Sequence, residues 1–418
     1  MAQQKDRVVL AYSGGLDTSC CVKWLQDEKN LDVIAVVGEV GQEHESQEKI
    51  KEKALRMGAI DCLLLDMREV FAQDYLSKAL AANAAYENKH PLVSALSRPL
   101  ISKYLVDVAH EYGAKYIAHG CTGKGNDQVR FEASITMLDP SIEILAPVRE
   151  WDLLTRLDEI TWASKHGVDV EVTAESPYSI DDNLWGRAIE CGVLEDPWIE
   201  PPADVYTMTV DPQDAPDTPE YVEIEFKSGV PCAINGVKKS FLDIIYDMNE
   251  IAGKHGYGRI DMIENRFVGV KSRECYETPA AKALIEAHKA LEDLVLEREV
   301  LHHKLNLEQI WANCVYNGQW FSPLKEAIDA FMVSTQICVS GLVSLKFYKG
   351  SCVVVGRKSI YSLYDHALAT YDKGDTFDRT AAKGFIQIQT LSARTWAANR
   401  HDEGVPTDVF NLVGAETE

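Results

Sequence analysis

The 418-residue chain is expected to be an α/β protein. A Rossmann-like, doubly wound parallel sheet is expected at its N-terminus, followed by a second α+β domain and a C-terminal helical segment. Three observations set that expectation. Short apolar runs at residues 8–10, 33–37, 62–65, 116–118 and 142–145 alternate with charged helical stretches such as 45–57 and 99–112. That rhythm suits strands buried on both faces and covered by helices. A glycine-rich turn follows the first run directly. From residue 221 the texture changes, with strands expected at 221–226, 230–234, 260–270, 342–347 and 352–355, and helices at 241–251, 280–301 and 323–331. Between the two regions Pro197, Pro201, Pro202, Pro212, Pro216 and Pro219 stand among acidic residues, which reads as extended surface chain. The expected domains are 1–170, 171–375 and 376–418, the last an amphipathic segment over 385–399 with a loose tail from 401.

Composition narrows the function classes. Hydrophobic residues at 46% and charged ones at 26% describe a globular chain too long for one ordinary core. No run of 18 apolar residues occurs, and the polar start does not read as a signal peptide. Ten cysteines without a C-x-x-C pair read as reduced thiols, so a cytoplasmic location is expected. The net charge of −23 argues against nucleic acid or an anionic membrane as partner. An anionic substrate must then be held by backbone dipoles, a few basic residues and Mg²⁺.

The first expected strand runs into Ala11-Tyr12-Ser13-Gly14-Gly15-Leu16-Asp17-Thr18-Ser19, and a helical stretch follows. Strand, glycine turn and helix aim backbone N–H groups at an anion, and paired glycines let a phosphate approach closely. Ser13, Thr18 and Ser19 add hydroxyls, while Asp17 is placed to meet a metal or an amide. The string is neither G-x-x-x-x-G-K-[ST] nor G-x-G-x-x-G. It resembles the S-G-G-x-D-x-S loop of the ATP pyrophosphatases, which implies ATP-binding at this turn and release of pyrophosphate.

After the second strand, Gly38 and Gly41 leave room for an adenine or ribose. The fourth strand opens into His119-Gly120-Cys121-Thr122-Gly123-Lys124-Gly125-Asn126-Asp127-Gln128-Val129-Arg130-Phe131. Its glycines let backbone wrap a ligand, Lys124 is suited to a phosphate, and Arg130 to a carboxylate fork. Thr122, Asn126 and Asp127 suit an amino-acid head group.

With both strings in view, the chain resembles the argininosuccinate synthase family. The stretches Ser176 to Trp185, Gly253 to Asp261, Glu264 to Arg273 and Tyr276 to Pro279 carry the resemblance further, over about residues 7–395. It implies a ligase that joins citrulline to aspartate through a citrullyl-AMP intermediate, with ATP and Mg²⁺, as a homotetramer whose C-terminal oligomerisation helix packs on a neighbour. On matching positions it implies that Ala11 to Ser19, Gly38 and Gly120 hold ATP. Thr122, Asn126 and Asp127 would hold aspartate, and Tyr86, Ser94, Asn126, Arg130, Ser179, Glu264 and Tyr276 citrulline. Asp17, Asp127 and Arg130 are the catalytic candidates, and no residue set has metal-ligand spacing.

Plainer readings stand beside these. Tyr86 and Tyr276 fit half-buried core tyrosines, and Glu264 fits an ion pair with Arg266 or Lys271. Ser179 fits the cap of a helix starting near Asp181. His302 and His303 read as solvated or core residues. Ala188 stands where some members have serine, and Gly38-Glu39-Val40 departs from the usual string, leaving an adenine contact at Gly38 only through backbone. An alternative of another class is a tRNA-thiolating enzyme with the same loop, passing sulfur through Cys20, Cys21 or Cys121.

Overall fold

Valine and leucine dominate the first strand because both its faces are covered: Val8, Val9 and Leu10 are wholly buried in β1 (Arg7–Ala11). The computed structural model describes residues 5–42, 47–153, 156–168 and 178–402. They belong to two compact units, Met1–Leu363 and Tyr364–Glu418.

In the first unit β1 is joined by β2 (Asp32–Glu39), β3 (Asp61–Asp66), β4 (Tyr116–Ala118) and β5 (Glu143–Leu145). All four pairings are parallel, in the order β3-β2-β1-β4-β5. The order reverses between β1 and β4, and at such a switch point the carboxyl ends of neighbouring strands part to leave a crevice. The glycine turn after β1 and the long loop after β4 both open there.

Two antiparallel sheets complete the unit. The strands in chain order are β6 (Ser179–Asn183), β7 (Gly186–Glu190), β8 (Glu220–Lys227), β9 (Val230–Ile234), β10 (Val237–Lys238), β11 (Arg259–Asn265), β12 (Lys271–Glu277), β13 (Gly341–Tyr348) and β14 (Ser351–Lys358). One sheet runs β11-β12-β7-β6, the other β10-β9-β8-β13-β14. The proline-rich chain before β8 is anchored by Glu277, whose buried carboxylate accepts from the N–H groups of Thr207 (2.9 Å) and Thr209 (2.8 Å) and the Thr209 hydroxyl (2.7 Å).

Several expectations are corrected. The strand expected over 260–270 is a hairpin: β11 ends at Asn265, Arg266 N–H donates to Val270 C=O (2.8 Å), and Gly269 at φ +94° turns the chain into β12. The helix expected over 280–301 is two, Pro279–Val295 and Arg298–Tyr316. Leu296 is extended, and the Glu297 carboxylate accepts from Glu299 and Val300 N–H to start the second. Ser179 caps no helix, because it begins β6, whose Asp181 pairs with Ala188 of β7. Ser176 and Pro177 lie outside the described residues. In the second unit the segment expected over 385–399 is two helices, Ala381–Gln389 and Leu391–Asp402, neither burying a residue.

Candidate active site

The turn after β1 is built for close approach. Gly14 lies at φ +80°, and a Cβ there would come 3.0 Å from Ile50. Gly15 starts the Leu16–Lys29 helix without a side-chain cap, leaving N–H groups of its first turn for a ligand. Ser13 Oγ meets Thr18 Oγ1 (3.1 Å), and Tyr12 OH meets Ser19 Oγ (3.1 Å), which buries Ser19 behind the turn. Across the switch point Gly120 keeps the approach close, since a Cβ there would press on Thr18 Cγ2 at 3.0 Å.

Two cavities meet at this crevice. One, of about 310 Å³, is walled by Ala11, Tyr12, Ser13, Thr18 and Gly38 with apolar Val36, Val40, Ile101 and Phe131. A flat heterocycle suits such walls. The other, of about 510 Å³, is lined by Ser13, Asp17, Gly120, Thr122, Asn126, Asp127 and Arg130 from the sheet side. Ser94, Ser179, Ala188, Glu264 and Tyr276 line it from the other elements. Both volumes lie in the range of small-molecule sites.

The expected residues separate into those that face these cavities and those that stand behind them. Gly14, Gly15, Leu16 and Ser19 shape the turn without lining either cavity. Lys124 lines neither. Glu264 is 3% exposed and makes no ion pair with Arg266 or Lys271; it accepts from Tyr276 OH (2.7 Å) and Tyr316 OH (2.5 Å). Tyr86 does not line the cavity: its ring stacks on Tyr316 at 3.5 Å and its hydroxyl donates to Asn265 C=O (2.6 Å).

Polar fixing runs through the second cavity. Asn126 donates to Tyr316 OH (2.9 Å) and accepts from Phe267 N–H (2.9 Å), tying the loop after β4 to the β11–β12 hairpin. Arg130 Nε donates to Tyr316 C=O (3.0 Å) and its Nη1 to Asp127 (2.8 Å). Burial opposes the charge of Asp127, but the guanidinium groups of Arg98 and Arg130 outweigh it and lower its pKa to about 2. At the far end burial raises Glu274 to about 8, with Glu190 and Glu264 adding to the shift and Arg266 opposing it.

Sequence reasoning missed His90 and Tyr316. His90 lines the cavity, 3% exposed, with its ring stacked on Tyr276 at 4.4 Å. Leu92 N–H donates to its Nδ1 (3.0 Å), so the neutral ring carries its proton on Nε2, 3.6 Å from Glu264. Burial first, and then Arg130, pull its pKa down to about 3. Tyr316 closes a helix expected to stop near residue 301. Its one local signal was Gly318, at φ +74°, where a Cβ would lie 2.9 Å from Arg130 Cα.

Fold and crevice together define an α/β protein of the doubly wound class with two neighbouring small-molecule cavities at the switch point of its parallel sheet. Residues 7–169 match the family model described as the arginosuccinate synthase N-terminal HUP domain, and residues 178–396 match that of the arginosuccinate synthase C-terminal domain. An argininosuccinate synthase of Streptococcus suis is 56% identical over 390 residues, 93% of this chain and 97% of the relative. Those of Oceanobacillus iheyensis (96% of this chain, 95% of the relative) and Symbiobacterium thermophilum (94% and 98%) are each 54% identical. The chain belongs to the argininosuccinate synthase family, a family of carbon–nitrogen ligases. The thiolating alternative is set aside with that membership. Its candidate thiols are poor nucleophiles too: burial raises Cys20 to about 12, and pushes Cys21 and Cys121 well up.

Proposed function

We propose that the chain condenses L-citrulline with L-aspartate, using ATP and releasing AMP and pyrophosphate, in arginine biosynthesis. The observation that carries this reading is the meeting of the two cavities between Ser13, Gly120 and Asp127. ATP would lie along the turn from Ala11 to Ser19 with its base near Gly38, so that its α-phosphate reaches that junction. Citrulline would lie among Ser94, Asn126, Arg130, Ser179, Glu264 and Tyr276, with His90 added and Tyr86 supporting Tyr316. Aspartate would take Thr122, Asn126 and Asp127.

The ureido oxygen of citrulline attacks the α-phosphorus, the bond to the β-phosphate breaks, and pyrophosphate leaves. Adenylation turns a poor electrophile into one with AMP as leaving group, and the amine of aspartate displaces it. No enzyme nucleophile is required. Orientation between two cavities supplies much of the rate, on the order of 7–11 kcal/mol. Asp127, held as the anion, orients the amino group of aspartate rather than taking its proton; the nitrogen gives up its protons to solvent water and attacks as the free amine, and AMP leaves with the electron pair. Among the described residues no cluster of three His, Cys, Asp or Glu side chains is suited to a metal. Asp17, which lines the second cavity with Ser13, would be the carboxylate to hold Mg²⁺, an ion that takes one or two carboxylates and keeps water and phosphate oxygens for the rest. When bound, Mg²⁺ supplies charge to the departing pyrophosphate.

A homotetramer in the cytoplasm is part of the same reading. It is supported by the exposed Phe385, Ile388 and Trp396 of the second unit, and no helix among the described residues is long and apolar enough to cross a membrane. The protein mixed with Mg-ATP, citrulline and aspartate should release AMP only when both amino acids are present. AMP release with neither amino acid, or ADP as product, contradicts the reading.

A further inference from the structure

Arg98 is the one cation among the described residues that lines both cavities. It projects from the Val93–Tyr112 helix with its side chain 14% exposed. Its Nε and Nη2 contact Asp127 Oδ2 at 2.9 and 2.7 Å, Nη2 also donates to Asp181, and Nη1 donates to Ser97 Oγ (3.1 Å). A guanidinium carries five N–H donors in a planar fork, so one N–H of Nη1 is left without a protein partner among the described residues. Arg130 lines only the amino-acid cavity, and Lys53 is turned toward Gly14 C=O (2.6 Å). The junction where the phosphate chain must meet the ureido oxygen therefore has, among the described residues, one cationic side chain shared by both cavities.

We propose that Arg98 is a catalytic residue whose guanidinium holds the α-phosphoryl group while the ureido oxygen replaces pyrophosphate on it. This rests on the reading given under Proposed function. In the step, the new bond joins the ureido oxygen to the α-phosphorus, and the bond from that phosphorus to the bridging oxygen breaks. Pyrophosphate leaves with the electron pair. Arg98 transfers no proton; its N–H groups donate to the equatorial oxygens, where charge concentrates. Asp127 and Asp181 hold the fork in the plane between the cavities until the phosphate arrives, and the ligand then takes the place of Asp181 on Nη2. A bare ammonium keeps the charge without the two-pronged geometry.

Citrulline-dependent exchange of labelled pyrophosphate into ATP, with aspartate omitted, reads this step alone. Arg98→Lys should lower that exchange by about 10²–10³-fold while the Kd for ATP changes by less than about threefold. Exchange kept within about tenfold of the unaltered protein, or a matching loss of ATP affinity, overturns the proposal and leaves Arg98 as a clamp on the two aspartates. Arg98→Ala assayed with added guanidinium ion covers a lysine variant that fails to fold: restored exchange supports the proposal, and none overturns it. If the unaltered protein itself shows no citrulline-dependent exchange, the functional reading fails rather than the role of Arg98.

Discussion

Asp127 accepts from Arg98 and Arg130 at once, and although burial works against its charge, the two cations bring its carboxyl to about 2. A group so acidic is a poor proton acceptor near neutrality. Asp127→Asn should therefore keep citrulline-dependent pyrophosphate exchange within about tenfold and slow overall turnover by about 10²-fold, measured as AMP release with aspartate present. Glu274 is the opposite case. Its carboxyl moves from an ordinary 4.5 up to about 8, because burial and the neighbouring Glu190 and Glu264 outweigh Arg266. The folded protein then holds a proton that the unfolded chain has lost, so stability falls as pH rises from about 5 through 8. Glu274→Gln should flatten that fall, seen as a smaller drop in Tm between pH 5.5 and 8.5 than in the unaltered protein. Most cavity residues were legible because they sit inside contiguous strings. His90 was not singled out, because what makes it a cavity residue is the Leu92 N–H on its Nδ1 and the Tyr276 ring beneath it. Neither contact has a signal in the local sequence.

The glycine turn and its partner loop work as elements because two backbones come within side-chain distance. Gly14→Ala sets an L-residue at φ +80° and presses a methyl toward Ile50, a strain of about 1–3 kcal/mol. It should weaken ATP binding at least tenfold in a direct titration with little change in citrulline binding. Gly318→Ala acts from further away. Its Cβ would meet the Arg130 backbone at 2.9 Å, so the end of the Arg298–Tyr316 helix must withdraw from the cavity wall. A lower Tm together with a raised KM for citrulline is the expected pair of readings. The parallel strands were legible in the sequence, since strands buried on both faces read as unbroken apolar runs. The β11–β12 hairpin was not, because Phe267, Val268 and Val270 continue the apolar texture through the turn. Only the positive φ of Gly269 reverses the chain. The break between the Pro279–Val295 and Arg298–Tyr316 helices was hidden similarly. Glutamate is not a favoured cap residue, yet Glu297 starts the second helix.

For the whole molecule, the strand order decides where chemistry can happen. Placing β4 beside β1 puts the loop bearing Gly120 and Asn126, and the helix that follows it with Asp127 and Arg130, against the glycine turn, and the β11–β12 hairpin brings Glu264 and Tyr276 to the same space. That convergence was readable only as matching strings, because long-range pairing leaves no local trace. The second unit adds exposed apolar helices, and removing residues 364–418 should convert the proposed tetramer to smaller species by sedimentation. The proposed reaction turns on one bond: the ureido oxygen must become joined to the α-phosphorus. Citrulline carrying oxygen-18 in its ureido group should, after turnover with Mg-ATP and aspartate, leave the label in the phosphate of AMP. Unlabelled AMP, with the heavy oxygen found in water or kept in the amino-acid product, would contradict it.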